Sequence, residues 1–411
     1  MRTPGSSGHP AKGAGSISAE IETGSCSGLG WGSWLIPVHC HPDPIGDRVE
    51  RYRDSGACYR SSFLPPFILR TLRLLHMNVF ELTRALVDIE SITENEERVG
   101  NYLFDHLSVL TQSHGGSIEK MPVAENRFNV FARWGDPVVT LSTHIDTVPP
   151  FFASREDDEY IWGRGSCDTK GIIASMITAI RELLAEGSRD FGLLFVVGEE
   201  RNSVGAYTAA KTPRGSRFLI NGEPTENRLA LGSKGALRYE VVAKGRMAHS
   251  AYPELGESAI EKLLDALNKI RAVPLPTDPV LGPSTLNIGI ISGGRAPNVI
   301  PDSARAELLI RLVENGDTTR KAIADAAGSM VEAREVLCIP ALRLGSLPGF
   351  ETSVMSYTTD IPAFGGAWGQ PYLLGPGTIH VAHTSEERIP KREIIEAIQI
   401  YKRMVRHLQT A

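Results

Sequence analysis

From Met77 onward, short apolar runs rich in β-branched and aromatic residues alternate with stretches of helical periodicity, and this alternation constrains the fold more than any other feature. NVFARW, PVVTLSTHID, FGLLFVVGEE and RFLING read as strands, and GIIASMITAIRELLAEG among them reads as a helix. Strands alternating with helices at this spacing predict an α/β fold: a mostly parallel sheet with helices on both faces. The folded part opens at Met77, where Phe80, Leu82, Leu86, Val87 and Ile89 keep helical spacing before a Ser-Ile-Thr-Glu-Asn break.

Around Gly232 the pattern changes. ALRYEVVAKG, the helix AIEKLLDALNKIR, the strands STLNIGIISGG and ARAELLIRLV, and a second helix near TTRKAIADAAGSMVEA follow the β-α-β-β-α-β order of a small ferredoxin-like α+β domain. We therefore expect residues 77–232 and 345–411 to form one domain and 233–344 to be inserted in it, with PYLLGPG and the helix KREIIEAIQIYKRMVRHL returning to the first. Residues 1–76 differ: Gly, Ser and Pro recur there without period, so little fixed structure is expected, whether the segment is a true leader or a misassigned extension before a start at Met77.

Composition narrows the partners. The 43 basic and 48 acidic residues, net charge −5, are interspersed without a Lys/Arg run, which argues against nucleic acid. No stretch of about 18 apolar residues is present, so no membrane-spanning helix is expected, and the N-terminus lacks a secretory pattern. Five irregularly spaced cysteines make no disulfide framework and suit a reducing cytoplasm.

Five segments carry metal-type side chains, and each lies at the end of a predicted strand, where open parallel sheets place their sites. In Ser142-Thr143-His144-Ile145-Asp146, residues two apart share a face, so Asp146 is positioned to fix the tautomer of His144. In Gly163 to Gly171, Asp168 precedes a helix, either as its N-cap or as a ligand, and Cys167 reads as a small packed residue. Glu199 and Glu200 end a strand; facing opposite sides, one suits a metal and leaves the other free as a base. Glu223 again follows a strand, and near the C-terminus His380 and His383 compete as the last ligand. Jointly, two histidines and three carboxylates suit two divalent ions about 3.5 to 4 Å apart and hydrolysis of an amide.

The ordered motifs HIDTVP, GRGSCDTKG, GEER, GEPT, GRMAHS, GGRAPNVIP and GPGTIHVAHTSEE resemble the acetylornithine deacetylase and succinyl-diaminopimelate desuccinylase family, which also includes aminoacylases and related metallopeptidases. The resemblance covers the chain from about Met77 to its end. It implies that His144 and Glu223 hold one zinc, Glu200 and His383 the other, and that Asp168 bridges them, with cobalt able to substitute. It implies Glu199 as general base, Asp146 as the support of His144, and His249 in the inserted lid as the group that polarises the scissile carbonyl across a homodimer interface. Asn298 and Arg311 match lid positions that hold the substrate carboxylate. Two departures stand out: Gly198-Glu199-Glu200 replaces the usual Asp-Glu-Glu, and Ser356 to Pro362 stands in place of a GGTSDG stretch.

These motifs look most like the acetylornithine and acetyl-lysine deacetylases. The expectation is therefore deacetylation of a small N-acylated amino acid in arginine or lysine biosynthesis. A desuccinylase, a dipeptidase or a carboxypeptidase is the alternative within this machinery, and a metal-free binding protein using the same cleft is the alternative outside it.

Overall fold

The computed structural model describes residues 77–411, all within one compact unit; the expectations for residues 1–76 fall outside the described residues. The first helix, α1 (Val79–Val87), begins at a capping box in which Asn78 and Glu81 satisfy each other's backbone N–H groups. Helix α2 (Glu97–His114) stops at Gly115, whose φ of 68° is the left-handed conformation a C-terminal glycine supplies.

The central sheet is built from β1 (Ser117–Ala124), β2 (Arg127–Trp134), β3 (Val139–His144), β4 (Phe191–Val196), β5 (Phe218–Asn221) and, after the insertion, β10 (Gln370–Leu373). Its order is β1-β2-β4-β3-β5-β10. The four strands β4, β3, β5 and β10 run parallel, as expected; β1 and β2 form an antiparallel hairpin at one edge. Every residue of β3, β4 and β5 is buried, because layers cover both faces.

The period of two along the strands sorts side chains between these layers. Val130, Ala132, Leu193 and Phe195 join the larger core, with helices α3 (Gly171–Ala185) and α7 (Lys391–Gln409) packed together on that side. Phe131, Leu194 and Val196 enter a smaller core on the other face with Trp368, beside helix α4 (Val204–Ala210). Two buried hydroxyls inside β3 are hydrogen-bonded: Thr140 with Ser216 at 2.6 Å, and Thr143 donating to the Gly222 carbonyl at 2.7 Å.

The insertion contains β6 (Gly235–Lys244), α5 (Ala259–Arg271), β7 (Thr285–Gly293), β8 (Ser303–Leu312), α6 (Asp317–Ala327) and β9 (Glu332–Ile339), in the expected order. Its antiparallel sheet runs β7-β8-β6-β9. Leu237, Val241, Leu263, Leu267, Ile310 and Ile323 form a core of their own beneath the two helices. The opposite face is charged, with Arg238 paired to Glu307 and Arg334 to Glu240. Among the described residues no helix is long and apolar enough to cross a membrane.

Candidate metal centre

The strands β3, β4, β5 and β10 all deliver chain to the same edge of the sheet, the carboxyl ends of parallel strands. His144 ends β3, Glu199 and Glu200 follow β4, Glu223 follows β5, His383 follows β10, and Asp168 precedes α3. Two triads result, His144–Asp168–Glu223 and Asp168–Glu200–His383, each with its ligand atoms within 4.8 Å of one another. Asp168 belongs to both. Its Oδ1 lies 2.9 Å from His144 Nε2 and its Oδ2 3.3 Å from His383 Nε2, while Glu200 Oε2 lies 3.0 Å from His383 Nε2. His380 is exposed and lines a neighbouring cavity of about 230 Å³; of the two competing histidines, it is His383 that reaches the acidic groups.

The electrostatics are those of a cation site. Burial pushes the Glu223 carboxyl well above the usual range, His144 only partly offsetting it, and its buried Oε1 has no hydrogen-bond partner. Burial also opposes ionisation of Asp168, but the two histidines outweigh it and hold that carboxyl below its usual value. Hydrogen bonds to Asp168 and Glu200 push His383 up to about 10. Burial counts against a proton on His144 too, yet Asp146 and Asp168 keep its pKa well above the ordinary value. Carboxylates crowded this closely, one with an orphaned buried oxygen, call for positive charge. The residues fit two divalent ions with imidazole and carboxylate donors, a set that suits zinc, cobalt or manganese.

Asp146 acts more widely than tautomer support. The nearest acceptor to His144 Nδ1 is the Asp146 backbone carbonyl, at 3.0 Å, with the carboxylate at 3.6 Å. That carboxylate instead accepts the backbone N–H groups of Gly198 (2.9 Å), Glu199 (3.1 Å) and Glu200 (3.2 Å), and the Thr93 hydroxyl at 2.8 Å. The separation of the two glutamates also has another origin than strand alternation. β4 ends at Val196, and the chain turns at Gly198, whose φ is 82°. A side chain at Gly198 would be strained there and would meet Val204 and Arg127 at under 3 Å, so glycine suits this turn. After the turn Glu200 enters a triad and Glu199 lines the cavity outside both. Burial pushes the Glu199 carboxyl well up, and Asp360 and Glu200 add to it against the pull of His144.

That cavity, about 350 Å³, is lined by Asp168, Glu199, Glu200, Glu223 and His383 from the central sheet and by Arg311 from β8. Arg311 is half-buried on the charged face of the inserted sheet, and among the described residues no acidic side chain pairs with it. His249 and Asn298 are not in this cavity. Both are exposed beside a short ladder, where His249 pairs with Val299 and Ser250 N–H donates to the Asn298 carbonyl at 3.0 Å. The sequence pattern missed Asp360, fully buried near Glu199 and Glu223 and pushed up to about 7 by burial, and Tyr357, whose hydroxyl donates to the Pro224 carbonyl at 2.8 Å. Asp360 lies in the segment that departs from the family motif. Cys167 is fully buried, and burial pushes its thiol well up, so it is a packed residue and not a nucleophile.

Residues 140–407 match the model of peptidase family M20/M25/M40, and the chain belongs to that family. It is 40% identical over 342 residues to a peptidase M20 domain-containing protein of Schizosaccharomyces pombe, covering 80% of this chain and 84% of that protein. It is 37% identical to a probable carboxypeptidase of Aspergillus terreus, over 78% of this chain and 84% of the relative. Its fold is similar to that of a dinuclear metal-binding M20 peptidase of Bacillus subtilis, with a TM-score of 0.59, 16% identity, and coverage of 82% of this chain and all of the other. The protein is a metallopeptidase-type hydrolase.

Proposed function

We propose that this hydrolase cleaves the amide bond next to a free C-terminal carboxylate, as a carboxypeptidase or dipeptidase, and that N-acetylornithine is not its main substrate. The observation that carries the reading is Arg311, a guanidinium without an acidic partner among the described residues, in a cavity lined by members of both triads. A fixed guanidinium fork suits a planar carboxylate. The relatives named as carboxypeptidases support the peptide over the acetyl group. Deacetylation of acetyl-lysine or acetylornithine, and the biosynthetic role drawn from it, thus become the second reading.

His144, Asp168 and Glu223 would hold one divalent ion, and Asp168, Glu200 and His383 the other; zinc is our proposal for both. Bound there, such ions supply Lewis-acid polarisation of the scissile carbonyl and a lowered pKa for water. Arg311 binds the substrate carboxylate and so sets which bond lies over the triads. Glu199, outside both triads but in the same cavity, takes a proton from water at its carboxylate and returns it to the leaving nitrogen. Its buried setting favours holding that proton between the two transfers. Asp146 keeps Glu199 and Glu200 in register through their backbone N–H groups. His249, exposed in one chain, would donate to the carbonyl oxygen of a second copy's substrate in a homodimer formed through the inserted domain, with Asn298 beside it.

The test is a panel assayed on the full chain with zinc or cobalt: dipeptides and longer peptides, the same peptides with C-terminal amides, N-acetylornithine, N-acetyl-lysine and succinyl-diaminopimelate. Free-acid peptides should have the highest kcat/KM, and amidation should leave only a little turnover. Preference for an acetylated or succinylated amino acid over every peptide would overturn the reading.

A further inference from the structure

The two triads are braced differently. In the first, His144, Asp168 and Glu223 are tied to one another through strand ends: Gly222 N–H donates to the Ser142 carbonyl at 2.8 Å, Thr143 to the Gly222 carbonyl at 2.7 Å, and Thr169 to the His144 carbonyl at 2.7 Å. In the second, Glu200 is held by Asp146, but His383 sits in a loop, half exposed, with a φ of 64° unusual for a side-chain-bearing residue. No strand register relates it to Asp168.

What joins those segments is Glu387, four positions beyond His383. Its Oε1 accepts the backbone N–H groups of Gly165 (2.9 Å), Cys167 (3.3 Å) and Asp168 (3.2 Å), and its Oε2 pairs with Arg164. Gly163 N–H also donates to the Glu387 carbonyl at 3.1 Å. Arg164 and Glu387 are 2% and 1% exposed. Three amides aimed at one oxygen form the kind of concave nest that usually receives a bound anion; here the chain fills it from about 220 residues away. A buried ion pair is a weak way to stabilise a fold compared with apolar residues of the same size. Its gain in this place is geometric: it fixes the backbone of the shared carboxylate against the loop that carries the histidine.

We propose that Glu387 is a positioning residue that presets the distance between Asp168 and His383 and so preforms the second metal triad. This rests on the two-ion reading above. Partners of this kind typically change metal affinity by about 10- to 100-fold.

Cobalt titration of the full chain, followed by visible absorption and chelator competition, tests it with two double variants. Arg164→Met with Glu387→Gln removes the charge pair but keeps an acceptor oxygen; Arg164→Met with Glu387→Met removes the acceptor as well. The first Co²⁺ should bind both like the unaltered chain. The second should bind the Gln variant nearly normally and the Met variant about 10- to 100-fold more weakly, with a changed absorption band. Equal affinity of the second ion for the two variants, or equal weakening of both ions in the Met variant, overturns the proposal. Should the Met variant fail to fold, Glu387→Asp, which keeps the charge and withdraws the acceptor by one methylene, must show the same selective loss or the proposal fails. If the unaltered chain binds no cobalt, the two-ion reading itself is what fails.

Discussion

The central sheet and the inserted domain contribute to one cavity in unequal ways. From the sheet, five candidate ligands spread between His144 and His383 converge because parallel strands end side by side and neighbouring loops are hydrogen-bonded across them. From the insertion, Arg311 faces the cavity, whereas His249 and Asn298 lie exposed outside it. On the proposed reading, the groups for metal and proton are thus organised within one chain. Those proposed to recognise substrate are only partly assembled there, and each experiment below loads one side of that contrast.

The largest effects belong to the sheet. Glu199→Gln should lower kcat by about two to four orders of magnitude, the usual scale for a lost general base, while two ions per chain remain bound. Glu200→Ala, by contrast, should lose one ion. Metal stoichiometry beside steady-state kinetics separates the two; wild-type turnover in the Glu199 variant would sink its assignment, and equal metal loss in both would make it a ligand.

His249 tests the other side. If it serves a second copy's site, His249→Ala should reduce kcat by about 10²- to 10³-fold, the scale of one lost oxyanion donor. Mixing the His249→Ala chain with the Glu199→Gln chain should then restore activity, because one of the two sites in a mixed dimer receives both intact groups. No recovery on mixing, with mixed dimers verified by mass, would place the histidine's action within one chain or remove it altogether.

Arg311→Met should raise KM more than it lowers kcat for free-acid peptides, with kcat/KM falling by about 10- to 100-fold, the scale of a lost hydrogen bond to a charged group. It should leave the little turnover of amidated peptides unchanged. Equal losses on both substrates would show that the guanidinium does not read the carboxylate.

The sequence carries the sheet side well and the insertion poorly, for physical reasons. Ligands at strand ends stand beside apolar runs, so His144, Glu200 and Glu223 announce themselves locally, and the helices over Gly171–Ala185, Ala259–Arg271 and Lys391–Gln409 keep clean periodicity. Arg164 and Glu387 fall inside the motifs GRGSCDTKG and GPGTIHVAHTSEE, but their pairing does not show there, because it is a contact between segments far apart in sequence. Asp146 was legible as a partner of His144 but not as the anchor of three backbone amides, since that depends on the turn at Gly198. The antiparallel edge hairpin β1–β2 is likewise a matter of pairing. Substrate choice is least legible, because the motifs are shared by deacetylases and carboxypeptidases and describe the chemistry rather than the substrate.

The smallest expected effect asks whether the two regions are separate in stability as well as in role. Each has its own apolar core and its own side-chain helix cap: Asn78 on α1 in the sheet domain, and Ser258 on α5 in the insertion, where it accepts from Glu261 N–H at 3.2 Å. Removing a cap costs about 1 kcal/mol wherever it sits, so Asn78→Ala and Ser258→Ala are matched perturbations of the two regions. Asn78 also anchors a reciprocal bond with Glu81, at 2.9 Å, and its loss should be slightly the larger. If the insertion opens on its own, Ser258→Ala should speed hydrogen exchange in β6, β8 and α5 alone, and Asn78→Ala should leave those amides unchanged. Acceleration spread over both regions by either variant would mean that they unfold as one cooperative unit, and that the division of labour in the site is not a division in the fold.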